Sequence, residues 1–206
     1  MRIPFIIDDI IIALSGSIRT TESKFSPENI LDNYFQFRAI QLKSAYTKTS
    51  RIVPQWTQRL IPEYDAELQD EKNIIKFKIP KIIELDAFVL GFLYIGSVDC
   101  LKQYRLFRSR AEYATYRQHR VQRESKIPVV IYSDEILEIH NTQLSKIDLM
   151  LDSVFERPTD LPTYNTESSE FPIDDANHLI VKQLVVESLL GQSNKRPTLK
   201  QNNVQQ

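Results

Sequence analysis

The chain has 206 residues, 42% of them apolar, and a formal charge of -1, which is enough to bury a sizeable core in one domain or in one domain with an elaborated subdomain. Its one cysteine, Cys100, excludes an internal disulfide and a cysteine metal cluster. No apolar run approaches the roughly 20 residues that span a bilayer; Phe5 to Leu14 is interrupted by Asp8 and Asp9 and reads as a buried helix, not a signal sequence.

Taken in chain order, Ile3 to Leu14 predicts a helix ending at Ser15-Gly16, with a polar connection to Phe25. Ser26-Pro27-Glu28 is a helix start, with a hydroxyl cap, proline at the first helical position and an acid in the first turn. Ile30, Leu31, Tyr34, Phe37, Ile40 and Ala45 recur near helical spacing from there to about Tyr46. Pro54 and Pro62 bracket a short segment containing Trp56 and Leu60.

After Lys72 the period changes. Ile75, Phe77 and Ile79 alternate with Lys76 and Lys78, as a half-buried strand requires, until Pro80. Phe88 to Ile95 is almost continuously apolar, which predicts a central strand covered on both sides. Val129–Tyr132 and Ile136–His140 predict a hairpin around Asp134-Glu135. Ile147, Leu149, Leu151 and Phe155 alternate with Asp148, Asp152 and Glu156 as a further long strand.

Pro158 to Pro172 is polar and proline-punctuated, which predicts a surface loop or arm. A last helix runs from Asp174 through Ile180, Leu184 and Leu189 and closes at Gly191. Helices at both ends around a mainly antiparallel β region make this an α+β chain. The division expected is one domain over 1–190, a β-rich subdomain over about 73–157, and a tail, 191–206, that stays disordered until something binds it.

Charge is unevenly divided. Residues 1–72 hold nine basic and ten acidic side chains, 73–147 twelve and eight, 148–190 two and nine, and 191–206 three and none. Such asymmetry fits surfaces that meet other surfaces, because complementary fields steer association and fix register; solvated faces are the plain alternative.

No constellation for catalysis emerges. The four glycines, Gly16, Gly91, Gly96 and Gly191, assemble neither a phosphate loop nor a dinucleotide fingerprint. His119, His140 and His178 lack the spacing of a helical metal pair and read as ordinary surface or boundary histidines. Glu63, Asp65 and Asp70-Glu-Lys72 carry the residue types of a metal-dependent nuclease, but in a charged loop before a strand, not on it. The sequence therefore predicts no enzyme, no cofactor and no metal.

The densest feature is Leu101 to Lys126. Lys102, Arg105, Arg108, Arg110, Arg117, Arg120, Arg123 and Lys126 stand there among Tyr104, Phe107, Tyr113 and Tyr116, opposed only by Glu112 and Glu124. As a helix it would align Tyr104, Phe107, Ala111 and Ala114 on one face and leave Arg105, Arg117 and Arg120 outward. Arginine with aromatic side chains suits phosphate contact and base stacking, and equally suits a protein interface. Arg105, Arg108, Arg110, Arg117, Arg120 and Arg123 are the candidate interface or DNA-facing residues.

Tyr94-Ile-Gly-Ser-Val-Asp99, the basic stretch, Lys126-Ile-Pro-Val-Val-Ile-Tyr132, the hairpin to Asn141 and Val154-Phe-Glu-Arg-Pro158 follow one another in an order that resembles the ring or neck proteins of crAss-like short-tailed bacteriophages. The polar loop, Phe171-Pro-Ile173 and the terminal helix continue the likeness. The resemblance implies a virion structural protein at the head-tail junction, made in the host cytoplasm: a connector or portal adaptor with a helical bundle carrying an inserted β region. It implies a homo-oligomeric ring of about twelve copies below a portal protein. Other ring or tail proteins would be neighbours, genome DNA a non-specific contact and no membrane a partner. The alternatives are a nucleic-acid-binding or metal-dependent DNA-processing protein and a non-virion assembly scaffold.

Overall fold

In the computed structural model, which describes residues 1–17, 25–63, 74–87, 89–118, 127–133, 135–140 and 148–194, helices from the two ends of the chain pack together and short strands intervene in sequence. α1 (Ile3–Ser17) turns Ile3, Ile6, Ile10 and Leu14 inward, one per helical turn, and leaves Phe5 and Ile12 exposed. It runs through the expected stop at Ser15-Gly16.

α2 (Pro27–Thr49) starts where the sequence places it. Ser26 Oγ accepts the Asn29 N–H at 3.2 Å, and at the far end Ser50 takes a left-handed φ of 52° while its N–H donates to the Tyr46 carbonyl at 2.6 Å. Its inward stripe differs from the expected one. Ile30, Tyr34, Arg38 and Leu42, four apart, face the core, whereas Ile40 lies two residues past Arg38 and points to solvent at 57% exposure. α1 and α2 share an apolar cluster with Val181, Val185 and Leu189 of the final helix.

The strands are β1 (Gln58–Leu60), β2 (Ile74–Lys78), β3 (Glu84–Asp86), β4 (Val89–Leu90), β5 (Phe92–Ser97), β6 (Arg105–Phe107), β7 (Val129–Ser133), β8 (Ile136–His140) and β9 (Leu149–Ser153). They form a three-stranded sheet in the order β1-β9-β5, a four-stranded sheet in the order β2-β8-β7-β6 and the β3-β4 ribbon. Every pairing is antiparallel except β6 with β7. The hairpin of β7 and β8 closes through Glu135, whose φ of 65° supplies the reversal. The strand read around Ile75 and Phe77 is β2, and both side chains are buried.

Phe88 to Ile95 is not one central strand; Phe88 itself lies outside the described residues. Gly91 splits the run, because its N–H donates to the Ile83 carbonyl while its carbonyl accepts from Val154, and a Cβ there would stand 2.9 Å from that Ile83 oxygen. β5 then becomes an edge strand. The central strand of its sheet is β9, shorter than the alternation suggested, with Leu149, Met150, Leu151 and Ser153 all buried. Ile147 lies outside the described residues.

The Pro158–Pro172 stretch is pinned to the core at both ends, since Pro158, Leu161, Phe171 and Pro172 are buried and the Phe171 N–H donates to the Met1 carbonyl at 2.6 Å. α4 (Asp175–Asn194) does not close at Gly191 but passes through it. Nothing lies within 4 Å of a Cβ built on that glycine, so neither packing nor a left-handed turn marks a stop there. The tail from residue 195 lies outside the described residues.

Arg38 ties these parts together. It is 0% exposed, and its guanidinium donates to the carbonyls of Phe155 (2.8 Å), Pro172 (2.9 and 3.1 Å) and Trp56 (3.2 Å) while lying 5.3 Å from the Phe171 ring centroid. Burial pulls its pKa down to about 10, still high enough to keep the charge at neutral pH. Around it, Leu42, Trp56, Ile83, Leu85 and Val154 form the apolar seam between α2 and the strands.

A second network joins the three long helices. Lys182 Nζ lies 2.7 Å from Asp9 Oδ1, and His178 sits between Asp9 Oδ2 at 3.5 Å and the Tyr34 hydroxyl at 2.6 Å. An ionised Asp9 only accepts, so Nε2 of His178 carries the proton and Nδ1 accepts from Tyr34. His178 is 3% exposed, which overturns its reading as a surface or boundary histidine. At the head of α4, Asp174 accepts from Trp56 Nε1 and Asn177 Nδ2, both at 2.6 Å, and caps the Asn177 N–H at 3.0 Å.

Two predictions follow from these networks. Arg38→Met should lower unfolding stability by about 3 to 5 kcal/mol in denaturant titration, because it strands three buried carbonyls and leaves a void, and Arg38→Lys should recover only part of that. Stability should also fall as the pH drops below about 6.5. The Lys182 bond holds the Asp9 pKa below the usual carboxylate range, and burial holds the His178 pKa below 6.5, so for both groups the unfolded chain binds more protons in acid. Thermal melts of His178→Gln should lose the part of that fall nearest neutrality and keep the more acidic part.

Candidate functional site

The basic block does not form the single helix that would place Tyr104, Phe107, Ala111 and Ala114 on one face. Its first part is extended. The Tyr104 N–H donates to the Ile95 carbonyl at 2.9 Å, and β6 pairs with β7. Among its described residues α3 (Arg110–Arg117) is the helical part, started by Ser109 Oγ accepting the Glu112 N–H at 3.1 Å, while the Glu112 carboxylate accepts from the Arg108 N–H at 2.9 Å.

Aromatic residues organise the block around a small apolar cluster of Phe107, Tyr113, Val129 and Ile131. The Arg105 guanidinium stacks 4.4 Å from the Tyr116 centroid and 5.3 Å from that of Phe107, and Arg117 lies 5.8 Å from that of Tyr113. Arg110 grips Glu138 with two bonds, 3.0 and 2.8 Å long. Burial works to raise the Glu138 pKa, but the bonds from Arg110 and His140 outweigh it and hold the carboxyl below its ordinary value. Arg108 turns away from the others and donates to the carbonyls of Ala87 and Asp86 in the β3-β4 turn.

Arg105, Arg110 and Arg117 are thus exposed side chains held in place by their own fold, and Arg108 is half-buried. Arg120, Arg123 and His119 lie outside the described residues. The sequence reading named Tyr113 and Tyr116 among the aromatics of the block but did not pair them with Arg117 and Arg105. What the sequence reading missed is Arg38 and the His178 network, for which the one available signal was a charged residue in the step-of-four stripe of α2.

No group of three or more His, Cys, Asp or Glu stands close enough to hold a metal ion among the described residues. Asp65 and Asp70-Glu-Lys72 of the nuclease-like set lie outside those residues, and Glu63 sits on the rim of a groove. No helix of the described residues is long and apolar enough to cross a membrane.

That groove, about 870 Å³, opens beside β1. Buried Leu60 and Ile79 line it, with Ile61, Pro62, Pro80 and Pro162. Of its charged residues, Lys81 pairs with Glu156 at 2.8 Å and Arg157 with Asp32 at 2.9 Å, which leaves Glu63, Glu135 and Asp160 against Lys78.

At the opposite edge of the same sheet, β5 ends in a projecting turn, Val98 to Leu101, that is cross-braced by its own polar groups. Asp99 Oδ1 accepts from the Ser97 hydroxyl (2.5 Å) and the Leu101 N–H (3.0 Å); Ser97 Oγ accepts from the Lys102 N–H (3.0 Å). The Ser97 bond holds the Asp99 pKa below the usual carboxylate range. Gly96 permits the return crossing, since a Cβ there would be 2.2 Å from the Lys102 carbonyl oxygen. The turn carries Leu101 at 81% exposure, Val98 at 40% and the free thiol of Cys100.

These features are surfaces and braces: guanidinium stacks, an acidic apolar groove and a stiff apolar projection. No curated protein matches the chain. A family model described as phage tail ring protein 2, of the crAss-like phages, matches residues 5–206, and the chain belongs to that family.

Proposed function

We propose that the protein is a head-to-tail connector of the virion, a ring subunit that assembles in about twelve copies below the portal, joins capsid to tail and surrounds the DNA exit channel. The observation that carries this reading is the family match over 5–206 to a phage tail ring protein. Its role is structural and not catalytic. The work of such a subunit is to hold a fixed shape while its neighbours and the passing genome load it.

The fold supports that work in three ways. The Arg38 clip and the Asp9–His178–Tyr34 network fix the helices against one another and against the strands. Phe5 and Ile12 of α1 and Leu179 of α4 expose apolar surface of the kind buried between subunits. Unequal charge between 73–147 and 148–190 gives neighbouring copies unlike surfaces, which the head-to-tail contacts of a closed ring require.

Arg105 and Arg117 favour a contact with DNA as well. Stacking on Tyr116 and Tyr113 orders each guanidinium before any ligand arrives. Ordered, exposed guanidinium groups suit non-sequence-specific phosphate contact. Portal protein and further tail proteins are the partners above and below the ring.

The reading predicts that the protein is detected by mass spectrometry in purified particles and forms closed rings by electron microscopy, alone or with portal; a chain absent from particles and monomeric with portal would sink it. Duplex DNA binding, if the arginines face the channel, should weaken steeply with salt and drop further in Arg105→Glu/Arg117→Glu, with rings still forming. Loss of rings in that variant assigns the two arginines to a subunit contact instead.

A further inference from the structure

The stiff turn after β5 and the groove beside β1 have complementary properties and stand at opposite edges of one sheet, separated by β9. We propose that they are the two halves of one subunit contact: the Val98–Leu101 turn of one copy inserts into the groove of the next copy, head to tail. The inference rests on the ring reading and names the surfaces that would close it.

The turn is an anchor. An exposed Leu101 and Val98 on a flexible loop would lose much of their binding energy to ordering, but Ser97, Asp99 and Lys102 have already fixed this backbone. The groove offers an apolar floor, Leu60 and Ile79, and an apolar rim at Ile61 and Pro162.

Charge agrees with the same pairing. Asp99 spends its carboxylate inside the turn, so the projection presents the exposed Lys102 at its base. The groove presents Glu63, Glu135 and Asp160 against Lys78. A cationic base behind an apolar tip thus meets a carboxylate rim around an apolar floor, a pairing that steers approach and fixes which way round the copies meet.

Position supplies the direction. Because the projection leaves from one edge strand and the groove borders the other, a copy that fills its neighbour's groove still offers its own groove to a third. Contacts of this kind are heterologous and propagate until they close on themselves. A symmetric pairing of two turns or two grooves would stop at a dimer.

Cys100, exposed on the turn and the only cysteine of the chain, gives a direct test. Thr163→Cys places a second thiol on the groove rim. Under mild oxidation the full chain should give a ladder of dimer, trimer and higher species on non-reducing gels, and Cys100→Ser in the same chain should abolish it. A ladder that survives Cys100→Ser, a cross-link confined to the monomer, or no ladder from a chain that still assembles overturns the contact. Leu101→Asp should weaken self-association by about tenfold or more with an unchanged melting temperature, since Leu101 makes no buried contact to lose; wild-type assembly in that variant also overturns it. If the unmodified chain assembles under no condition, the ring reading itself has failed, a different result from rings that ignore Leu101.

Discussion

A positive charge with no carboxylate beside it among the described residues holds the middle of this molecule together. Moving a guanidinium from water into a protein interior is costly, and here the cost is offset by carbonyl oxygens of Trp56, Phe155 and Pro172 and by the face of Phe171. Those carbonyls come from three parts of the chain that share no secondary structure with α2: the short turn before β1, the segment leaving β9, and the segment leading into α4. Each would otherwise need a partner of its own inside the protein. A planar fork with several donors satisfies them at once, which an ammonium or an apolar side chain cannot do.

The helical network extends the same logic outward. His178 is neutral between Tyr34 and Asp9, and Lys182 supplies the charge that Asp9 needs, so α1, α2 and α4 are locked by polar contacts of fixed direction and not by apolar packing alone. Trp56, bonded to Asp174, carries that lock to the seam beside Arg38. For a ring subunit this matters more than stability as such. A copy that flexed between its two contact faces would spread the angle between neighbours, and the ring would close in more than one size.

Much of the architecture was legible because it obeys simple periodicities. The Ser26-Pro27-Glu28 start, the alternation at Ile75 and Phe77, and the β7-β8 hairpin each depend on neighbours in sequence, and each was found where expected. The failures in the sheet share a cause. The stretch through Gly91 and the order of β1, β9 and β5 depend on which distant segment supplies the next hydrogen bond, as Ile83 and Val154 do for Gly91, and no local pattern encodes that. Arg38 is the same problem at one residue: its type predicts exposure, and only the carbonyls converging from elsewhere explain its burial. At the candidate site, the sequence showed that aromatic side chains stand among the arginines, but the stacking of Arg105 on Tyr116 and of Arg117 on Tyr113 required knowing that β6 is a strand, and the Arg110–Glu138 pair that α3 lies against β8.

The basic block changes meaning once its geometry is known. Eight basic side chains in 26 residues look like a field awaiting an anion. In the fold, Arg110 has answered Glu138 and Arg108 has answered two carbonyls, so part of that field is spent holding α3 and the β3-β4 turn in position. Arg105 and Arg117 keep their donors toward solvent but lose freedom through stacking. Such groups bind whatever anionic surface the assembly brings to them at little further entropic cost, and a phosphate backbone and a neighbour's carboxylates both qualify. Their position, and not their charge, therefore decides their partner, and position in a ring is set by the contacts that close it.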